Sequence, residues 1–393
     1  MIKNIEDVTC GFLQGRDLIC FSHLRWAFVY QRPQHLLSRF ARHTRVFYIE
    51  EPVFQEGPDR LEVQQPEQQL YVVVPHLQQD KSEAVEGRLQ QLVLDLLPAH
   101  NIQRYFCWYY TPMALSFTSQ LQPEFVVYDC MDELSAFKFA PPELKEREQQ
   151  LLQRADVVFT GGYSIYEAKK DRHANIHPFP SSIDKHHFLQ ARAPQSDPDD
   201  QAAIPHPRLG FIGVIDERMD IDLVAQAAAA RPQWQFVMIG PVVKIDPASL
   251  PQLPNLHYLG GKTYSELPRY IAGWDIALIP FALNESTQFI SPTKTPEYLA
   301  AGKPVISTPI RDVVRPYGDQ GLVRIAATAG EWVAQAEAEL NTPEKTAWLE
   351  QVDAFLADQS WDRTWSGMVR QLEALTEASE TNHSVSVNKK AYV

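Results

Sequence analysis

Several sequence signals that would indicate a membrane, secreted or nucleic-acid-binding protein are missing from this chain of 393 residues. No apolar stretch approaches the roughly 18 residues of a membrane-spanning helix, and the opening MIKNIEDVTC lacks the apolar core of a signal peptide. A formal net charge of −13 excludes wrapping of nucleic acid by bulk positive charge. We therefore expect a cytoplasmic protein that binds no nucleic acid and holds any anionic ligand in a local site.

Motifs of several common enzyme classes are also absent. The four cysteines, Cys10, Cys20, Cys107 and Cys130, do not have the spacing of a metal site and predict reduced, buried thiols. The sequence contains no GxxxxGK[ST] loop, no GxGxxG at the end of a predicted strand and no convincing Ser-His-Asp set. These absences argue against a P-loop nucleotidase, a typical dinucleotide-binding enzyme and a serine hydrolase.

The composition is that of a globular enzyme with more than one hydrophobic core. Hydrophobic residues make up 45% and charged residues 22% of the chain, and its length favours two domains. Strand-like and helical segments alternate in both halves, which predicts an α/β fold with parallel sheets covered by helices. The predicted parts are a Rossmann-like domain over 1–189, a linker over 190–207, a second Rossmann-like domain over 208–360, a helix over 361–377 and a disordered tail over 378–393.

The most informative segment is 274–309, WDIALIPFALNESTQFISPTKTPEYLAAGKPVISTP. Its pattern predicts a buried strand, a polar loop, a short helix and a second buried strand. We expect Thr295 to cap this helix, Pro296 to take its first position and Gly302 to end it. Glu297 would then lie in the first turn, close to Lys294 and to the unpaired helix amides. A phosphorylated sugar fits such a site.

Segments spread over nearly the whole chain carry a family resemblance. They are IGVIDERMD, LGGKTYSELPRYIAGWDIALIPF, PTKTPEYLAAGKPVIS and SWDRTW in the second half, and FSHLRWAFVYQRPQHLLSRFA, VVYDCMDELSAF and PFPSSIDKHHF in the first. Together they resemble the retaining nucleotide-sugar glycosyltransferases of the GT-B fold, often called family 4, and in particular bacterial enzymes of cell-surface polysaccharide assembly. The resemblance implies two Rossmann-like domains that face each other across a cleft, and a final helix, starting near Trp361 and Trp365, that crosses back to the first domain.

The resemblance also implies roles for residues of the second domain. Glu297 matches the glutamate that holds the ribose hydroxyls of the nucleotide-diphosphate sugar. Arg218 and Lys294 match the positive groups that face the diphosphate and act in catalysis. The other implied donor-binding residues are Gly213, Ser291, Pro292 and Thr293. Without a ligand, Glu297 would simply be a favourable charge at a helix N-terminus and the basic residues would be solvated.

The chain departs from the family pattern at two places. Phe289 stands where the family has the first glutamate of its pair, and Asp220 and Asp222 stand where a lysine is often found. Asp220-Ile221-Asp222 could be read as a metal-binding Asp-x-Asp. The two aspartates open a predicted helix, however, where negative charge is favoured without a ligand. We therefore expect no required metal and no cofactor.

Candidates for acceptor contacts lie in the first half. His23, Arg25, Trp26, Gln31 and Arg32 belong to a loop that follows the first predicted strand, and they line either an acceptor site or a solvated rim. Asp132 follows the predicted strand 125–130, where it is either a catalytic residue or a helix cap.

A predicted amphipathic helix in the first half carries a basic face. Its four arginines, Arg32, Arg39, Arg42 and Arg45, either contact only water or touch the inner face of an anionic membrane that carries a lipid-linked acceptor. A peripheral membrane contact is therefore a second expectation for the location of this protein.

The resemblance implies transfer of a hexosyl-type sugar, with retention, from a nucleotide-diphosphate sugar to a glycan or lipid-linked acceptor. Two other functions are compatible with the same fold. A non-catalytic nucleotide-sugar-binding subunit would explain Phe289 and the missing lysine, and a sugar-nucleotide epimerase would isomerise its ligand instead of transferring it.

Overall fold

Two mostly parallel sheets, each covered by helices, make up the computed structural model, which describes residues 10–79, 84–342 and 344–390. We call the part of the chain around the first sheet the first domain and the part around the second sheet the second domain. Most strands of both sheets are buried and apolar, as the alternation of strand-like and helical segments predicts. The predicted α/β architecture is confirmed.

The first sheet has nine strands. They are β1 (Asp17–Phe21), β2 (Val46–Ile49), β3 (Val53–Gln55), β4 (Arg60–Glu67), β5 (Leu70–Gln78), β6 (Tyr105–Tyr109), β7 (Val126–Cys130), β8 (Val157–Thr160) and β9 (Ile176–Pro178). The order is β3-β5-β2-β1-β6-β7-β8-β9, and β4 pairs antiparallel with β5 at the edge. Three cysteines are buried in β1, β6 and β7. The sequence patterns missed β3, β4 and β9 because these strands are short or mostly exposed.

The second sheet has six parallel strands in the order β12-β11-β10-β13-β14-β15. They are β10 (Arg208–Ile212), β11 (Gln235–Ile239), β12 (Leu256–Tyr258), β13 (Ile276–Ile279), β14 (Val305–Ser307) and β15 (Arg324–Ile325). The strand order reverses at β10 here and at β1 in the first sheet. Ligands of open α/β sheets bind in the crevice at such a reversal, outside the carboxyl ends of the strands.

Helices cover both faces of each sheet. They are α1 (Arg32–Phe40), α2 (Val85–Ala99), α3 (Leu115–Thr118), α4 (Leu144–Arg154), α5 (Tyr163–Lys169), α6 (Lys185–Leu189), α7 (Asp199–Ala202), α8 (Ile221–Ala230), α9 (Leu267–Ala272), α10 (Lys294–Ala300), α11 (Arg311–Val313), α12 (Ala329–Leu340), α13 (Thr346–Leu356) and α14 (Trp361–Lys390). Within the described residues, no helix combines the length and the apolar character that crossing a bilayer requires.

The start of α10 differs from the prediction. The helix begins at Lys294 with Thr293 at the N-cap, and Thr295 lies inside it with a buried hydroxyl that has no hydrogen-bond partner. A proline is tolerated anywhere in the first turn, because the amides there have no intrahelical acceptor. The position of Pro296 therefore does not determine at which residue α10 begins. Gly302 follows the helix with a φ of +75°, a conformation that glycine adopts without steric cost.

The segment 190–207, predicted to be a linker, packs on the second domain. It contains a short 3₁₀ turn and α7, and the side chain of Gln201 is buried. That amide donates to the carbonyl of Tyr270 (3.1 Å) and accepts from the indole of Trp274 (3.0 Å). Hydrogen bonds between polar side chains and distant partners hold this segment, and hydrophobic periodicity does not reveal such bonds.

The long helix α14 contacts the first domain. The ring of Trp361 stacks on His35 at 4.6 Å, and Trp365 stacks on His43 at 5.2 Å between ring centroids. The backbone of α14 is helical as far as Lys390, whereas the sequence predicted the helix to end at 377. A polar sequence argues against a buried helical face, but it does not exclude a helix. Residues 391–393, the end of the tail predicted to be disordered, lie outside the described residues.

A buried ion pair joins the start of α1 to β7. The guanidinium of Arg32 donates to both carboxylate oxygens of Asp129 at 2.8 to 3.1 Å, and to the carbonyl of Phe179 at 2.7 Å. Both charged side chains are almost fully buried, at 1% and 0% exposure. The expectation that Arg32 contacts an acceptor is therefore wrong: its charge is used inside the first domain.

The basic face predicted for membrane contact is largely neutralised. Arg39 forms a two-point ion pair with Asp362 of α14, and Arg45 forms one with Asp17 of β1. Arg42 stays exposed. Because α1 ends at Phe40, Arg42 and Arg45 lie beyond the predicted helix. The acidic partners come from other elements of the fold, which helical periodicity does not reveal, and contact with a membrane stays a prediction.

Asp129→Ala is expected to lower the free energy of unfolding by about 3–5 kcal/mol, because it leaves the Arg32 guanidinium buried without a counter-charge. Urea unfolding followed by circular dichroism measures the loss. Asp358→Ala, which removes the exposed partner of Arg363, is the control and should cost less than about 1 kcal/mol. Equal losses in the two variants would contradict this account of the pair.

Candidate active site in the interdomain cleft

The carboxyl ends of the strands in both sheets meet at a cleft between the domains. A cavity of about 600 Å³ lies there, a volume typical of small-molecule sites. The first domain contributes the loop 26–30, and the second contributes the loops that follow β10, β11 and β12. The cavity therefore lies beside β10, the strand at which the order of the second sheet reverses.

Two glycines form the floor of this cleft. A Cβ on Gly240 would lie 1.8 Å from the carbonyl oxygen of Gly213, so the loops after β10 and β11 approach each other more closely than any side chain allows. A Cβ on Gly213 would lie 2.2 Å from Cε of Lys294. Gly213 has a φ of +151° and Gly240 a φ of +148°. The glycines thus leave the space through which the lysine side chain passes.

The ammonium of Lys294 is placed by aromatic rings and by charges. Its Nζ lies 5.7 Å from the ring centroid of Phe211 and 5.8 Å from that of Phe281. Burial lowers the pKa of Lys294, the carboxylate of Glu297 opposes this shift and Arg218 adds to it. Burial raises the pKa of Glu297 to about 7, against the influence of Lys294. The side chains predicted to hold the ribose and the diphosphate therefore lie close enough to change each other's ionisation.

Arg218 points toward the first domain. Its guanidinium donates to Asp216 at 2.7 to 3.0 Å and lies 5.4 Å from the ring centroid of Phe137, across the cleft. Burial alone would lower the pKa of Arg218, but hydrogen bonding to Asp216 raises it above its usual value. A fixed positive charge therefore faces the cleft.

Asp220 and Asp222 lie at the start of α8. The carboxylate of Asp220 accepts the amide of Leu223 at 2.9 Å and so caps α8, as predicted. In the part of the chain that the structure describes, no group of three or more His, Cys, Asp or Glu side chains could hold a metal ion.

Asp132 lies on the loop after β7 and faces Arg218. Burial raises the pKa of Asp132 to about 6, and the charges of Arg218 and Arg32 oppose the shift. The 3₁₀ turn that follows, Leu134–Ala136, begins without a side-chain cap, so Asp132 is not a helix cap. Its neighbour Glu133 is paired with the buried Lys169 at 2.6 Å, which holds the loop in place.

The predicted acceptor-side residues have different surroundings. Arg25 donates to Glu50 (2.9 Å), the backbone amide of Trp26 donates to the same carboxylate (2.7 Å), and Gln31 forms a capping box at the start of α1. Trp26 lines the cavity of about 600 Å³. Burial lowers the pKa of His23 to about 4, and its Nδ1 is buried without a hydrogen-bond partner.

The structure separates the remaining donor-side candidates from Gly213. Ser291 and Pro292 line a second interdomain cavity of about 470 Å³, next to Asp312 and α14. Thr293 caps α10. Phe289, at the position of the family's first glutamate, packs against the hydrophobic core of the first domain.

Three residues of the cleft were missed by the sequence analysis. Tyr30 of the first domain stacks on Tyr264 of the second, with 4.7 Å between ring centroids, and both line the cavity of about 600 Å³. Lys244 lies on the loop after β11, across the cleft from Phe137. The available signal was position, since Lys244 and Tyr264 each follow the carboxyl end of a parallel strand.

Gly240→Ala is expected to destabilise the protein by about 2–4 kcal/mol, because the added methyl group would collide with the Gly213 carbonyl and the backbone has positive φ. Urea unfolding measures the change. Gly261→Ala, whose Cβ would meet only Pro241 at 3.9 Å, is the matched control and should stay within about 0.5 kcal/mol. A Gly240 variant as stable as this control would show that the two loops do not approach so closely.

Comparison with known proteins gives matches of two kinds. Residues 206–341 match the family model described as glycosyl transferases group 1. A protein of Bacillus subtilis (strain 168), named as a teichuronic acid biosynthesis glycosyltransferase, TuaH, is 30% identical over 242 residues, which are 56% of this chain and 60% of that protein. The match thus spans less than two thirds of that relative.

Solved structures match over nearly the whole chain. An E. coli structure described as trehalose-6-phosphate bound with UDP-2-fluoro glucose has a TM-score of 0.65 at 12% identity, covering 92% of this chain and 99% of its own. WaaG, a glycosyltransferase involved in lipopolysaccharide biosynthesis, has a TM-score of 0.60 at 15% identity, covering 90% and 98%. Identity this low shows a shared fold alone. Residues 206–341 are thus similar to glycosyl transferases group 1, and the chain as a whole has the GT-B fold.

Proposed function

We propose that this protein is a retaining glycosyltransferase. It moves a hexosyl-type sugar from a nucleotide-diphosphate sugar to a glycan or lipid-linked acceptor, in the cytoplasm, during synthesis of a cell-surface polysaccharide. The observation that carries this proposal is the convergence of Lys294, Arg218 and Glu297 on the cleft beside a cavity of about 600 Å³. The matched domain and the name of the B. subtilis relative support the same reaction class.

The donor would lie mainly on the second domain. The nucleoside would occupy the cavity of about 600 Å³, whose wall includes the stacked rings of Tyr30 and Tyr264. The carboxylate of Glu297, which acts electrostatically on Tyr264, would accept hydrogen bonds from both ribose hydroxyls. The diphosphate would then meet Arg218 and Lys294.

The chemistry needs charge stabilisation more than it needs a protein nucleophile. The bond between the anomeric carbon and the β-phosphate oxygen breaks, and the acceptor oxygen bonds to that carbon on the same face. The departing phosphate oxygen accepts the acceptor's proton. Arg218 and Lys294 stabilise the negative charge that grows on the leaving group, so the proposal requires no metal ion.

The first domain would complete the site when an acceptor binds. Asp132 faces Arg218 across the cleft and can accept a hydrogen bond from a sugar hydroxyl. Approach of the two domains would exclude water that otherwise hydrolyses the donor.

The alternative of a non-catalytic nucleotide-sugar-binding subunit is favoured by one observation. Phe289 packs against the first-domain core, so it offers the donor sugar no carboxylate. A purified chain that binds a nucleotide sugar, yet neither hydrolyses it nor transfers the sugar to any glycan, would establish this alternative.

Lys294→Ala and Arg218→Ala are each expected to lower turnover by roughly 10²- to 10³-fold, because each removes a charge that stabilises the leaving diphosphate. A panel of uridine and guanosine diphosphate sugars, screened by thermal shift, first identifies the donor. Release of the nucleoside diphosphate then measures turnover. Lys145→Ala, on the exposed face of α4, is the control. Unchanged turnover in both cleft variants, at unchanged melting temperature, would refute the proposal.

Donor affinity is expected to fall as the pH drops below about 7. The raised pKa of Glu297 means that its carboxylate exists mainly above that pH, and the neutral acid accepts the ribose hydroxyls less well. At pH 6 the affinity should be weaker by up to about tenfold. Isothermal titration calorimetry with the identified nucleotide sugar measures it, because the diphosphate diester does not titrate there. Glu297→Gln should bind weakly with a flat pH profile; a profile parallel to that of the unaltered chain would exclude this role.

A further inference from the structure

Lys244 occupies an unusual backbone position beside the proposed diphosphate site. Its φ of +61° lies in the left-handed region, which is uncommon for a residue other than glycine, asparagine or aspartate. The amide of Val243 donates to the carbonyl of Ile215 at 3.1 Å, so this loop runs alongside the segment that leads to Asp216 and Arg218. Lys244 therefore emerges from the second domain next to Arg218.

The side chain of Lys244 crosses the cleft toward the first domain. Its Nζ lies 5.3 Å from the ring centroid of Phe137, the ring that also faces the guanidinium of Arg218. Its charge acts on His23, Glu51 and Asp132. These residues follow β1, β2 and β7, so Lys244 faces three loops at the carboxyl edge of the first sheet. In the proposed function, that edge receives the acceptor.

Lys244 is a free cation in this setting. It is exposed, and no carboxylate in the described ranges forms an ion pair with it. Glu51 is opposed first by Arg25, and Asp132 first by Arg218. With Arg218 and Lys294 assigned to the diphosphate, Lys244 is a further positive charge that no described carboxylate neutralises through an ion pair.

A second observation indicates a ligand at the same place. Nδ1 of His23, which lies within the field of Lys244, is buried and has no hydrogen-bond partner. Buried polar atoms of this kind are rare in folded proteins and call for a group that satisfies them. Lys244 thus combines contact with an aromatic face and electrostatic influence on an unpartnered ring nitrogen.

We propose that Lys244, Phe137 and His23 form a subsite for a negatively charged group, a carboxylate or a phosphate, on an acidic saccharide acceptor. This inference rests on the proposed function and deepens it by naming the class of acceptor. The ammonium pairs with the anion, the Phe137 ring packs against the apolar face of the sugar, and His23 hydrogen-bonds a neighbouring hydroxyl. An ammonium acts as a point charge, so it can bind either anion.

Three small probes test this subsite: methyl glucuronide for the carboxylate, glucose 6-phosphate for the phosphate, and methyl glucoside as the neutral reference. Calorimetry with the full chain, saturated with the nucleoside diphosphate of the identified donor, gives their affinities. At least one charged probe should bind about tenfold more tightly than the neutral one. Lys244→Met should remove this preference, whereas Lys244→Arg should retain most of it. Lys145→Met, an equal change of charge on exposed α4, should leave it intact.

The affinity for the nucleotide sugar separates this inference from the proposed function. It should stay within about twofold in every lysine variant, since Lys244 is assigned outside the diphosphate site. A tenfold loss in Lys244→Met would assign Lys244 to the donor and overturn the inference. So would an unaltered chain without preference for either charged probe, or a preference that survives Lys244→Met. If no nucleotide sugar binds at all, the proposed function fails, and the same probes titrated without nucleotide still decide the role of Lys244.

Discussion

The close approach of Gly213 and Gly240 is the constraint on which the cleft depends. No side chain fits between the two loops, so the backbones at the carboxyl ends of β10 and β11 come into contact. Because Gly213 has no Cβ, the side chain of Lys294 can pass beside it. The strand order of the second sheet reverses at β10, which opens the crevice in which parallel sheets bind ligands. Backbone geometry thus brings a partly buried lysine to the place where the two domains face each other.

Charged residues in this protein fall into two groups with different physical roles. Arg32 with Asp129, and Lys169 with Glu133, are pairs whose partners are built into the first domain, and they hold elements in place. Lys294, Glu297 and Asp132 are cleft residues whose protonation is shifted chiefly by burial. The protonation of these cleft residues can change when an anion binds. Such residues are concentrated where the two domains meet.

The sequence predicted the features that depend on local signals. Buried strands such as β6, β8 and β11, and the capped helix α8, are marked in the sequence within a few residues by apolar runs and by an N-cap aspartate. The exposed strand β4 has no apolar signal and was missed. The sequence also did not reveal which arginines form ion pairs, since the partner of Arg39 lies 323 positions away. The role proposed for Lys244 depends on its contact with Phe137 of the first domain. The spacing of residues in the sequence does not reveal this contact.

The most direct test of the account is a crystal structure of this chain with its nucleotide sugar bound. The account predicts the diphosphate within hydrogen-bond distance of Arg218 and Lys294, with the ribose hydroxyls on Glu297 and the base in the cavity lined by Tyr30 and Tyr264. A nucleotide bound instead in the second interdomain cavity, beside Ser291 and Asp312, would contradict it.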